Sequence, residues 1–346
     1  MAYAAISKPS LYMNPKLYTG TGATHAITGV GFQPDLVWMK QKNGVVNHYL
    51  YDAVRGYTNR LQPNMTTAAD TTDSTWFNSF DSDGFTIGTE ANINDSGDFY
   101  VSWNWKAGTT TGIAGSPSIT PLGYSFNATS GFSAIKYEGT GSAGTLPHGL
   151  GVAPNMIIVK ALETAENWAV YNSPRGATKY IELNLQASEG TSGVMWNDTE
   201  PTSTLFTVNT NGGVNTSGKD YIAYCFANVK GFSKVGSYVG NGDADGAFVY
   251  TGFKPAFILV KDATSTADWI LFDNKREGYN ANNDILRANT DAAEGNSADL
   301  DIVSNGFKAN SSWASINKSG ATFIYLAVAE EPLVANVSTR IPATAR

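Results

Sequence analysis

One stretch occurs three times and constrains what this chain can become: a Gly, two residues, a Pro, an apolar run and a closing Lys. The copies run from Gly31 through Pro34, Leu36, Val37, Trp38 and Met39 to Lys40, and from Gly151 through Pro154, Met156, Ile157, Ile158 and Val159 to Lys160. The third runs from Gly252 through Pro255, Phe257, Ile258, Leu259 and Val260 to Lys261. Gly and Pro punctuate, and a run of strand length follows, with β-branched and aromatic side chains well represented. A strand exposed on one face alternates polar and apolar residues, because successive side chains point opposite ways. These runs do not alternate. Each is therefore expected to be covered on both faces, inside a sandwich that also packs on a neighbour.

The register of the repeat extends beyond that stretch. Pro34 and Pro154, like Arg55 and Arg175, stand 120 residues apart, and Gly97 and Gly218 stand 121 apart. From the second copy to the third, the prolines and the arginines (Arg175, Arg276) are 101 apart and the glycines (Gly218, Gly320) 102. Each copy opens on a Tyr-x-Gly-x-Gly (Tyr18, Tyr137, Tyr238) and closes on a Ser-Gly turn followed by a strand. In the first copy that strand alternates, with Val101, Trp103 and Trp105 on one face; Ile222, Tyr224 and Phe226, then Ile324, Leu326 and Val328, take the same places. The reading is a triplicated unit of roughly a hundred residues, longer than a solenoid repeat and large enough for about seven short strands.

The expected fold is all-β, with three tandem β-sandwich modules, jelly-roll or lectin-like. Module one spans 17–108, module two 131–230, and module three 231–346 with a C-terminal tail. Residues 1–16 form a short lead, read as an attachment segment with a tail or an edge strand as alternatives, and the Gly/Ser/Thr/Pro-rich 109–130 a linker. Modules two and three are expected to pack rigidly, with module one placed more independently. The formal charge of −7 excludes a basic nucleic-acid footprint, and no run approaches the roughly 18 apolar residues of a membrane span. The start lacks the pattern of a signal peptide. One cysteine, Cys225, excludes an intrachain disulfide.

Motifs for chemistry are sparse. Gly213 to Lys219 begins like a phosphate loop, but Asp220 stands where the Mg²⁺-binding hydroxyl belongs. Asp81-Ser82-Asp83-Gly84 and Asp243-Ala244-Asp245-Gly246 open like Ca²⁺ loops and lack the twelfth-position Glu; both read as turns. His25, His48 and His148 never reach metal-ligand spacing, and no nucleophile elbow is present. No catalytic residue, metal or cofactor is expected. Arg55, Arg175 and Arg276 recur, so they are candidates to grip a carboxylate or sugar hydroxyls. The structural alternative pairs them with Asp52 or Asp273 across a loop. Trp76, Trp196 and Trp313, in polar surroundings, are candidates to stack a glycan or fill an interface; Trp38, Trp103 and Trp105 are assigned to the core.

Gly31-Phe32 with Pro34-Asp35, Asp83-Gly84-Phe85-Thr86, Val101 to Gly108, Pro147 to Pro154 and Gly236 through Arg276 to Lys308 carry a resemblance. They are similar to a repeated module of tail-appendage and other virion structural proteins from marine tailed bacteriophages, as are the closing Ala329 to Leu333 and Pro342 to Arg346. The resemblance implies a non-enzymatic virion protein, a tail fibre or appendage exposed on the particle and engaged in host attachment. Its partners would be other virion proteins and a host-surface glycan or protein; it would form a homo-oligomer, a trimer as first expectation. It would be made in the host cytoplasm. The alternatives are a capsid or tail decoration protein that stabilises the virion, and an enzyme degrading host polysaccharide. The chain departs from long fibres in lacking a coiled-coil or collagen-like shaft.

Overall fold

The structure is a computed structural model and describes residues 4–276, 280, 283–297 and 299–333. Strands make up 43 % of it and pair antiparallel, helices are few and short, and each repeat contributes one large sheet with the same succession. In the first repeat Met13–Thr19, Phe99–Trp105, Leu36–Gln41 and Tyr49–Asp52 lie side by side in that order. In the second, Phe132–Glu138, Asp220–Phe226, Met156–Ala161 and Ala169–Asn172 repeat it; in the third, Ser233–Val239, Thr322–Pro332, Phe253–Asp262 and Trp269–Asp273 do so. A small sheet accompanies each: His25–Thr28 with Gly84–Ile87, Gly144–Pro147 with Leu205–Val208, and Phe248–Tyr250 with Gly306–Ala309.

The unbroken apolar runs now have their cause. Leu36 and Trp38 belong to a core shared by all three repeats, whereas Val37 and Met39 pack with Ile27 and Phe85 of their own small sheet. Met156 and Ile158 likewise face the shared core, and Ile157 and Val159 a separate one with Leu146 and Phe206. The closing strands meet at the same centre, where the Trp105 ring lies 6.1 Å from Phe226 and 5.3 Å from Phe257. Each large side chain buried there contributes about 1.5–3 kcal/mol.

The recurring glycines hold the ends of the sheets together. A Cβ on Gly20, Gly139 or Gly240 would stand 1.9, 2.3 or 2.3 Å from the carbonyl oxygen of Asp95, Thr216 or Lys318. The opening motif is therefore the place where the backbone of the Ser-Gly turn lies against the first strand, and only glycine leaves room for it.

Two expectations need correction. The 109–130 stretch is not a linker throughout: Pro121–Asn127 is a strand paired with Phe132–Glu138, and Ser125 Oγ donates to Asp35 Oδ1 at 2.7 Å. The Gly/Pro-rich residues before it hide an alternating segment that completes a sheet edge. The first repeat is not independent either, since Trp38, Trp103 and Trp105 lie in the shared core. Of the alternatives for residues 1–16, the described part takes the edge strand: Ile6 is buried, Ala5 N donates to Lys230 O, and Met13–Thr19 is the outer strand of its sheet. Part of the expected C-terminal tail, residues 334–346, lies outside the described residues.

The outer edge of the first strand is blunted differently in each repeat. Pro121–Asn127 covers it in the second. In the first, Pro15 has no N–H to offer. In the third, Asn228 accepts from Val235 N at 2.6 Å and donates to Val235 O at 3.3 Å. Each device denies the edge to another strand.

Candidate functional site: the repeat boundaries

The three repeats close on one another head to tail, and equivalent residues make equivalent bonds at each boundary. Trp168 Nε1 of the second repeat donates to Gln62 O and Met65 O of the first. Trp269 Nε1 of the third donates to Glu182 O of the second at 2.9 Å. The ring closes through His48, whose Nε2 lies 3.0 Å from Arg287 O. Trp38 Nε1 donates to His48 Nδ1, so the His48 proton sits on Nε2 and is given to Arg287 O. Burial holds this imidazole well below its ordinary pKa, hence neutral.

The closing lysines of the organising stretch also end at these boundaries. Lys160 Nζ donates to Thr66 O, and Lys261 Nζ to Gln186 O, each in the preceding repeat. Lys40 Nζ donates to Gln41 O and Gly44 O and feels the charges of Asp291 and Glu294 of the third repeat. All three are buried, and burial lowers each to about 8.

The recurrent arginines occupy the turns after Tyr49–Asp52, Ala169–Asn172 and Trp269–Asp273. Asp52 accepts Arg55 N at 2.8 Å and Arg55 Nε at 2.5 Å. Asp273 accepts Arg276 N at 3.0 Å and Nε at 2.6 Å. Burial alone would raise the Asp273 carboxyl; the Arg276 charge and hydrogen bonds hold it below the ordinary carboxylate value. Each carboxylate also takes a donor from the neighbouring repeat, Tyr224 Oη at 2.6 Å on Asp52 and Trp103 Nε1 at 3.0 Å on Asp273. In the second repeat the position is Asn172, and the strand position equivalent to Tyr224 and Trp103 is Leu326 in the third repeat, which has no group to donate. Neither amide atom of Asn172 has a hydrogen-bond partner, and Arg175 instead grips Glu189 with Nε and Nη2, both at 2.6 Å. Glu294 serves Arg276 in the same way, accepting Nη1 at 3.0 Å.

The aromatic candidates scatter. Trp196 is 2 % exposed and packs edge-on to Tyr171, so it belongs to the core and offers no stacking face; its neighbour Met195 is buried with it, and that apolar pair was the available signal. Trp76 is half-buried, with the Arg60 guanidinium 4.0 Å above its ring. Trp313 is half-buried against the shared core. The structure brings these three neither to one another nor to the arginines as a single site. Asp83 accepts the N–H groups of Gly29 and Gly31, a turn role, and among the described residues no group of His, Cys, Asp and Glu could hold a metal ion. Among them also, no helix is long and apolar enough to cross a membrane.

A family model, described as a domain of unknown function (DUF7483), matches residues 8–332, which takes in all three repeats. The chain belongs to the DUF7483 family. No curated protein and no solved structure matches it. The family match thus includes both the Pro121–Asn127 strand and the segment from residue 8 that the sequence reading set apart from the repeats.

The repeat itself picks out the closing lysines and the equivalent Trp103, Tyr224 and Leu326 but not their place at the boundaries, and the glutamates Glu189 and Glu294 go unmarked in the sequence. Recurrence marks the lysines as a fold device without saying that Lys160 and Lys261 reach into an adjoining repeat. The glutamates carry no such mark, because the distance from arginine to glutamate changes from 14 residues to 18 between the second and third repeats.

Proposed function

We propose that this chain is a non-enzymatic virion protein of a tailed bacteriophage, a tail fibre or appendage exposed on the particle and engaged in host-surface attachment. Its architecture in this reading is three tandem β-sandwich modules, jelly-roll or lectin-like, each large sheet facing its own small sheet. The observation that carries the proposal is the closed ring: the buried tryptophans, lysines and carboxylates bond repeat to repeat, which suits a rigid scaffold presenting loops. The resemblance of the repeated motifs supplies the virion context. A homo-oligomer, a trimer first, and a host glycan or protein as partner belong to the same reading. Light scattering on the purified chain tests the oligomer. Saturable binding of labelled protein to host cells supports attachment, and its absence defeats it.

A second reading is favoured by the internal three-fold arrangement. One chain that repeats its contacts three times fits a three-fold position on a shell, as a decoration protein would. Binding to particles stripped of the protein, with none to host cells, selects this reading. Binding to neither overturns both.

A further inference from the structure

The repeats are alike in plan and unequal in detail. Ala69 stands where Glu189 and Glu294 meet their arginines, because the backbone N–H groups of all three donate to the equivalent carbonyls of Leu162, Ala263 and Lys42 in the adjoining repeat. A larger inequality lies along the small sheets. In the second repeat the residues ahead of Phe132–Glu138 close the side of the sandwich. Ile119 N donates to Thr145 O at 3.0 Å, Thr145 N donates to Ser118 Oγ at 2.8 Å, and Ile119 is buried in the core of its own repeat. Phe126 then lies against Gly149, where a Cβ would stand 2.5 Å from the ring.

The third repeat has no such cover among the described residues. Phe248 is the equivalent of Thr145, since each precedes the residue paired with a phenylalanine, Val249 with Phe307 and Leu146 with Phe206. Bonded pairs alternate along an antiparallel ladder. Ala309 N donates to Ala247 O and Thr251 N to Asn305 O, so Val249 between them also faces inward, and Phe248 and Tyr250 turn their backbone groups outward. Lys234 Nζ takes Tyr250 O at 2.6 Å; the Phe248 edge stays open. The side chains of Phe248 and Tyr250 are 50 % and 52 % exposed. Beside Tyr250 lies a groove of about 500 Å³, bounded by Lys230 and Lys234 on one side and Thr251 and Gly252 on the other. A Cβ on Gly252 would meet nothing nearer than Tyr250 Oη at 3.5 Å, so the turn that Phe126 covers in the second repeat is bare here.

Asn228 closes the edge of the large sheet, which leaves the Phe248 edge as the one a strand can join. An uncovered edge bearing apolar side chains is a template for strand addition. Two lysines and no carboxylate are among the described residues that line the groove, so the complementary segment is acidic. We propose that this edge and groove dock an extended acidic segment of a different protein, which pairs with Phe248 through its backbone and lays an aromatic side chain on Gly252. The site follows from the comparison of the repeats and is independent of the virion reading.

Fluorescence-anisotropy titration of the full chain tests it. The probe is a labelled peptide copying residues 118–126 (Ser-Ile-Thr-Pro-Leu-Gly-Tyr-Ser-Phe), followed by two aspartates. Saturable binding is expected, weakened about tenfold or more when the peptide's Phe becomes Ala or its aspartates become lysines. Phe248→Pro removes the outward N–H at an edge position that tolerates proline, and should weaken binding likewise. Lys234→Glu reverses the charge and keeps the test alive should F248P fail to fold. No saturable binding to the native chain, or binding undiminished in both variants, overturns the proposal. Binding only to a chain shortened to end at Leu333 assigns the groove to the chain's own residues and overturns it as well. So does a native dimer that F248P dissolves, which assigns the edge to a second copy.

Discussion

The Tyr224 hydroxyl donates to Asp52 Oδ2 at 2.6 Å, from the closing strand of the second repeat to the turn of the first. The same carboxylate oxygen holds Arg55 Nε, so one buried anion joins a phenol and a guanidinium from different repeats. Tyr224→Phe removes one bond to a charged acceptor and leaves the shape unchanged. The expected loss is about 1.5–3 kcal/mol, read from denaturant unfolding. Leu326→Phe, at the equivalent strand position of the third repeat, removes no such bond. If Tyr224→Phe proves neutral, the carboxylate is adequately held by Arg55 alone.

His48 sets the acid limit. Its folded pKa lies below the ordinary value of about 6.5 because burial and the nearby Lys40 charge disfavour the imidazolium. As pH falls below that value the unfolded chain takes up a proton that the folded chain refuses, so stability falls. His148, lowered by burial to about 4, adds to the slope. His48→Trp places at this boundary the residue found at the other two. Thermal melts between pH 7 and 4 should show a shallower decline in H48W than in the native chain.

The alkaline side has the opposite sign. Lys40, Lys160 and Lys261 each release a proton near pH 8 when folded and near 10.5 when unfolded. Between those values the unfolded chain holds more protons, so raising the pH stabilises the fold. The gain ends where tyrosines intervene. Tyr49, Tyr100 and Tyr325 are pushed up to about 12 by burial, so above pH 10 the unfolded chain loses phenolic protons first and stability declines. Unfolding midpoints measured from pH 7 to 11 should pass through a maximum between 9 and 10.5, and Lys160→Met should reduce the rise. A monotonic fall from pH 8 would contradict the account.

A single repeat should not fold alone. Met156, Ile158, Trp168, Tyr224 and Phe226 of the second repeat face the shared core. At about 1.5–3 kcal/mol each, exposing them removes as much as the whole stability of a typical domain, about 5–15 kcal/mol. Residues 109–230, which keep the Pro121–Asn127 strand, should when expressed by themselves bind a hydrophobic dye and lack near-ultraviolet circular dichroism, whereas the full chain should show neither defect.

The triplication and the two-sided burial of the organising strands were legible because Gly, Pro and an apolar run keep their spacing whatever covers them. What covers the second face was not. Trp38 and Trp105 read as core residues, but nothing in their own repeat says that Phe226 and Phe257 lie against Trp105. The strand Pro121–Asn127 was obscured by the Gly/Pro-rich residues ahead of it. The arginines were half legible: Asp52 and Asp273 stand three residues before their arginines, a local pairing. The partners Glu189 and Glu294, and the absence of one at Ala69, emerge only from the contacts between repeats.

The ring of repeats lies within one polypeptide, and that has an evolutionary consequence. In a trimer of identical subunits every substitution appears three times around the axis, so no seam can diverge from its fellows. Here each seam is written by its own codons. An alteration such as the alanine at position 69 touches one junction and spares two, and a protein of this design is free to specialise one third of its circumference while the remainder keeps it closed.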